Sequence, residues 1–220
     1  MIFKRLLAFG CSLTFGEGLE DCIRSSESGK TPSKFAWPEV LGVKLDLEVK
    51  NYSRPGSSNK EIWHKIVCMQ PELTKNDLII IHWSFHNRTC VFCDNLSLPH
   101  NLDEQIGGWR NDEKAIAYFK YFNSDYEGIT DSYMRAMFIK MYLDKLGIKN
   151  FHVNNLWHFH PPVENLPNME WTKKMKFIEP SLGEIRCDYP LALDGHHPGK
   201  EAHRDFANIL YREISNEIKI

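Results

Sequence analysis

Asp77–Trp83 holds a β-branched apolar run of strand length, in which Leu78, Ile79, Ile80 and Ile81 follow one another without a polar break. Four to eight residues of this kind predict a strand buried on both faces, as in a parallel sheet. Residues 2–9 form a second short apolar run that stops at Gly10, and they predict the first strand. Residues 37–45 space their apolar side chains like a helix, with Pro38 tolerated in the first turn, and 47–52 read as a strand. Ser53–Asn59 is a dense turn signal. A helix over 59–69 follows, with Ile62, Ile66 and Met69 on its inner face. Residues 84–111 read as irregular. Helices are expected over 112–121 and 131–146, the second stopped by Gly147, and a fourth strand over 151–154. Residues 155–193 carry no clear period. After Pro198, residues Ala202, Phe206, Ile209, Leu210, Ile214 and Ile218 form one stripe at three- and four-residue steps, which predicts a long amphipathic helix.

Strands alternating with helices predict an α/β fold, a three-layer sandwich around a mostly parallel sheet, and 220 residues suit one domain over 1–220. In such sheets ligands bind beyond the carboxyl ends of the strands. Ser12, the turn at Gly56 and the segment after Trp83 belong there.

Composition narrows the classes of function. With 42% hydrophobic and 25% charged residues and a net charge of −2, nothing calls for nucleic acid or an anionic membrane surface. The apolar core at Leu6–Cys11 is shorter than the roughly 7–15 residues of a signal peptide, and no stretch approaches the ~18 residues of a membrane span. The expected setting is cytoplasmic and reducing, where the six cysteines are free thiols. Cys90 and Cys93 form a single CxxC pair with no second pair to complete a zinc site.

Two motifs carry candidate chemistry. Ser12 follows a strand and a glycine, so its hydroxyl is placed for an exposed nucleophile, for a helix cap, or for both. Asp194 and His197, in "DGHHPG", are three residues apart in a tight turn. A carboxylate there can hold imidazole Nδ1 and leave Nε2 to take a proton from a hydroxyl. The adjacent His196 and His197, with His158 and His160, offer a metal-binding alternative, although no carboxylate or cysteine spacing completes a familiar zinc signature.

Ser12 in "FGCSLTFG", Gly56 in "NYSRPGSSN" and the Asp194–His197 pair together resemble the SGNH (GDSL-type) hydrolases. The resemblance implies a flavodoxin-like α/β/α domain and a Ser12–His197–Asp194 triad without metal or organic cofactor. It implies an oxyanion hole that includes the N–H groups of Ser12 and Gly56, and hydrolysis of an ester through an acyl-enzyme. A small acyl ester, such as an acetyl ester on a carbohydrate, is the expected substrate. Two positions depart from the family pattern. Cys11 stands where relatives carry aspartate, and "IIIHWSFHNRT" replaces the Gly-x-Asn-Asp block whose asparagine holds the oxyanion. Asn87 is the nearest replacement, with Ser84 and His86 as rivals. Loss of one such donor costs roughly 10²–10³ in rate. The alternative reading is therefore a glycan- or ligand-binding module on the same fold with catalysis impaired.

Overall fold

The computed structural model describes residues 3–22, 31–92, 102–155, 168 and 170–218. Four strands, β1 (Arg5–Phe9), β2 (Glu48–Asn51), β3 (Asp77–His82) and β6 (Lys149–Val153), form a parallel sheet in the order β2-β1-β3-β6. A further parallel bridge joins Val153 to Ile178 beyond β6. Between β3 and β6 the chain makes a separate antiparallel pair, β4 (Thr89–Phe92) and β5 (Leu102–Ile106).

The period-two alternation of a strand sends neighbouring side chains to opposite faces. Leu6, Ala8, Leu78, Ile80, Phe151 and Val153 point to one face. There they meet Trp37 and Leu41 of α2 (Trp37–Leu45) and Phe206, Leu210 and Ile214 of α7 (Lys200–Ile218). Leu7, Phe9, Ile79 and Ile81 point to the other. They meet Ile62 and Ile66 of α3 (Asn59–Cys68) and Ala136, Ile139 and Leu143 of α5 (Asp125–Lys145). This is the expected three-layer arrangement. Every residue of β3 is buried, which is why its sequence is apolar on both faces. Each such Leu or Ile contributes about 1.5–3 kcal/mol by leaving water.

Two expectations change. Residues 84–111 are not irregular throughout, since they contain the β4–β5 pair. β4 is only four residues long and β5 carries Asp103, Glu104 and Gln105 at its centre, so neither shows a readable apolar period. The long helix α5 begins at Asp125 rather than 131, because the Ser124 hydroxyl caps it by accepting from the Glu127 N–H at 3.1 Å. α4 (Glu113–Tyr121) is capped in the same way by Asp112, and the short α6 (Leu182–Ile185) by Ser181. Among the described residues no helix is long and apolar enough to cross a membrane. Cys11, Cys22, Cys68, Cys90 and Cys187 are free thiols, while Cys93 lies outside the described residues.

Candidate active site

β1 runs out at Phe9, and the chain turns through Gly10 and Cys11 into α1 (Ser12–Phe15). The short helix is tied down from two strands. Asn51, the last residue of β2, donates its side-chain N–H to the Thr14 carbonyl at 2.8 Å. The Thr14 hydroxyl lies 3.4 Å from Nδ1 of His82, the last residue of β3. His82 is wholly buried, and burial pushes its pKa down to about 4, so at neutral pH it is an uncharged strut. Ser12 is therefore the first residue of a fixed turn at the carboxyl edge of the sheet, and its N–H has no acceptor within the helix.

Asp194 and His197 lie on the loop that leads into α7. The Leu193 N–H donates to the Gly18 carbonyl at 3.0 Å, which docks this loop against the segment following Ser12. Gly18 has φ +86°, and a Cβ there would overlap the Asp194 carboxylate, so only glycine lets the two segments meet so closely. Asp194 Oδ1 accepts the backbone N–H groups of His196 and His197 at 2.9 and 3.0 Å. Its Oδ2 lies 2.6 Å from His197 Nδ1. Burial alone would raise the Asp194 carboxyl, but these N–H donors and the imidazole outweigh it and hold the carboxyl below its usual range. An ionised carboxylate only accepts, so Nδ1 carries the proton and Nε2 is left as the basic nitrogen. That nitrogen lies 3.6 Å from the Glu17 carboxylate.

Ser12, Gly56 and His197 line one cavity of about 550 Å³. Gly56 has φ +77°, and a Cβ there would sit 2.8 Å from Gln105 Oε1 and 3.3 Å from the Trp109 ring. The absence of a side chain lets the hairpin end close over the turn. Arg54, Glu17, Arg88, Gln105 and Trp109 complete the lining with Pro55, and none of these was singled out by sequence. Arg54 pairs with buried Glu61 at 2.7 Å, and Gln105 donates to the other Glu61 oxygen at 2.9 Å. Glu17 was within reach of sequence reasoning, as a carboxylate five residues after Ser12.

Asn87 is not among the described residues that line this cavity, whereas its neighbour Arg88 is. Of the two rivals, Ser84 is buried with its backbone clasped by Asn59. The Ser84 N–H donates to Asn59 Oδ1 at 2.6 Å, and its carbonyl accepts from Asn59 Nδ2 at 3.0 Å. His86 faces α5, 2.9 Å from Asp125. Among the described residues no group of three or more His, Cys, Asp or Glu is placed to hold a metal ion. His158 and His160 lie outside the described residues.

No protein-family model matches the sequence, and no curated protein matches it. Solved structures do match the fold. A protein of the G-D-S-L lipolytic family from Desulfitobacterium hafniense DCB-2 superposes with a TM-score of 0.52 at 14% identity, over 95% of this chain and 98% of that one. The chain shares the fold of that G-D-S-L-family protein. The psychrotrophic esterase EstA from Pseudoalteromonas sp., in a structure inhibited by monoethylphosphonate, shares this fold with a TM-score of 0.55 at 11% identity over 99% and 100% of the two chains. So does a carbohydrate esterase family 2 enzyme from Myceliophthora fergusii that also carries a carbohydrate-binding domain, with a TM-score of 0.57 at 12% identity over 99% and 67%. In this chain the turn after β1 and the loop before α7 lie side by side at the carboxyl end of the sheet.

Proposed function

We propose that the chain is a serine ester hydrolase of the SGNH type, working through an acyl-enzyme on a small acyl ester. The observation that carries this reading is the 2.6 Å pairing of Asp194 with His197 Nδ1 on the wall of the cavity that Ser12 also lines. The esterases that share the fold support the reaction class.

In this mechanism Ser12 Oγ attacks the ester carbonyl carbon while His197 Nε2 takes the hydroxyl proton. The carbonyl oxygen becomes an oxyanion, held by the N–H groups of Ser12 and Gly56. Asp194 keeps the ring oriented and offsets the imidazolium charge without taking the proton itself. Collapse breaks the bond to the leaving oxygen, which receives the proton from Nε2. Water then attacks the acyl-serine and gives a proton to Nε2, and collapse breaks the bond to Ser12 Oγ, which takes that proton back from Nε2 as the acid leaves. Asn87 is not among the described residues that line the cavity, so the third donor is left unassigned in this mechanism. The likeness to a carbohydrate esterase supports an acetylated carbohydrate as one substrate.

The test is turnover of p-nitrophenyl acetate by the wild type and by Ser12→Ala and His197→Ala. Each variant is expected to lose about 10³-fold or more in kcat/KM. Undiminished turnover in both overturns the mechanism. The position of Asn87 away from the cavity lining favours a second reading, a ligand-binding module without catalysis, which predicts no turnover by the wild type.

A further inference from the structure

Of the two arginines that line this cavity, Arg54 is answered by Glu61, and Arg88 is the one that pairs with no carboxylate among the described residues. Arg5, Arg54, Arg110 and Arg135 each pair with a carboxylate within 2.7 Å. No ion pair of Arg88 with a carboxylate occurs among the described residues. Its guanidinium carbon instead lies over two aromatic rings, 4.5 Å from the centre of Phe85 and 4.9 Å from the centre of Trp109. One N–H donates to the Ser84 hydroxyl at 3.2 Å. Ser84 is itself held by Asn59 through both of its backbone groups. The group is thus oriented by ring faces and one neutral acceptor, with most of its five donors uncommitted.

The contacts also order the cavity. His197 and Glu17 form one end, beside Ser12. The Trp109 ring packs against Gly56, and Arg88 lies over Trp109, so Arg88 is reached from Ser12 by passing Gly56 and the indole. Trp109 is 52% exposed, so the part of its ring not covered by Arg88 and Gly56 is open apolar surface along that path. In the proposed mechanism His197 protonates the leaving oxygen, which puts the alcohol at the Glu17 end and directs the acyl chain toward Trp109.

We propose that Arg88 is a specificity residue for an acyl group ending in a carboxylate, so that the preferred substrate is the monoester of a short dicarboxylic acid. The carboxylate takes two guanidinium donors in parallel, and the methylene chain lies along the Trp109 ring. Glu17 at the opposite end disfavours the reversed orientation, since it would bring two carboxylates together. The assignment of the acyl side rests on the esterase reading, whereas the anion site itself does not.

The experiment has two arms. In the first, kcat/KM is measured for mono-p-nitrophenyl glutarate and for p-nitrophenyl valerate, a neutral ester of the same chain length. The wild type is expected to favour the glutarate, and Arg88→Met to lower the glutarate-to-valerate ratio about 10- to 100-fold. Arg88→Lys keeps the charge but loses the fork, and a smaller fall of the same sign is expected from it. A wild-type ratio at or below one, or a ratio unchanged in both variants, overturns the proposal. In the second arm glutarate itself is titrated calorimetrically into the wild type, Ser12→Ala and Arg88→Met. Binding to the first two, weakened about tenfold or more in Arg88→Met, supports the anion site even if no ester is hydrolysed. Failure of that case falls on the esterase reading alone. Equal binding to all three proteins, or none, overturns the site.

Discussion

The two ends of the sheet each hold a carboxylate against a nitrogen base, and the pairs are almost the same length. At the amino end Asp77 opens β3 and meets Arg5, which opens β1, at 2.7 and 2.8 Å. At the carboxyl end Asp194 meets His197 at 2.6 Å. The difference lies in what remains unbound. The Asp77 carboxylate is fully buried and saturated, with both oxygens on Arg5 and one also on the Thr74 N–H at 2.7 Å and hydroxyl at 3.1 Å. Arg5 spends a further donor on the Glu72 carbonyl. That pair is closed and holds two strands in register. The Asp194 pair is open: the carboxylate is consumed by holding the ring, and the opposite nitrogen lies in a cavity. A short carboxylate–nitrogen contact alone is therefore no sign of chemistry, and an oriented ring nitrogen that faces a cavity, here with the Glu17 carboxylate 3.6 Å away, is.

The sharpest way to break this contrast is to exchange each carboxylate for its amide. Asp194→Asn is expected to lower kcat on p-nitrophenyl acetate by about 10⁴-fold through the wrong imidazole tautomer, with the thermal midpoint nearly unchanged. Asp77→Asn is expected to do the opposite. It strands a mostly buried guanidinium and costs about 3 kcal/mol in urea unfolding, while turnover per folded molecule stays at the wild-type level. The two ends would not differ in kind if Asp77→Asn lost activity or Asp194→Asn lost only stability.

A smaller effect sharpens the same point among the histidines. His152 also ends near the carboxyl edge, on β6, but both of its nitrogens are used. Nδ1 accepts from the Trp83 indole N–H at 3.0 Å, and Nε2 donates to Asn150 Oδ1 at 2.9 Å. Burial first, and then the positive charge of Lys140, depress its pKa to about 3. His152 is therefore neutral in the folded protein down to that pH, whereas the unfolded chain takes up its proton near pH 6.5. Its contribution to stability is complete above about pH 6.5 and is lost as pH falls from there toward 3, by about 1.4 kcal/mol per pH unit. His152→Gln is expected to lower the slope of urea-unfolding stability between pH 6 and 4 by about that amount, while the buried His82 and His203 keep their own share. An unchanged slope would mean that His152 is already charged in the folded state.

What was legible in the sequence was local. The strand at 77–82, the stripe of α7, and the motifs holding Ser12, Gly56, Asp194 and His197 each declare themselves within a few residues. The rest of the cavity depends on contacts across long stretches of chain. Gln105 reaches Pro55 and Glu61 across 50 and 44 residues, and Trp109 lies on Gly56, because the β4–β5 pair folds back over the turn. No periodicity announces that fold-back, so Arg88 and Trp109 were invisible while Asn87, one residue away, drew attention by its type. The start of α5 was missed for a simpler reason. Its first turn, Asp125–Gly128, is polar and sits on the surface, so the apolar stripe begins only at Ile129.

The central claim is that Ser12 is the nucleophile served by the open end of the Asp194–His197 pair. Its most direct test is peptide mass spectrometry after treatment with an activated organophosphate such as diethyl p-nitrophenyl phosphate. One diethylphosphoryl group per chain is expected, on Ser12, absent in Ser12→Ala and formed far more slowly in Asp194→Asn. Stoichiometric labelling of a different residue, or labelling at Ser12 with an unchanged rate in Asp194→Asn, would contradict it.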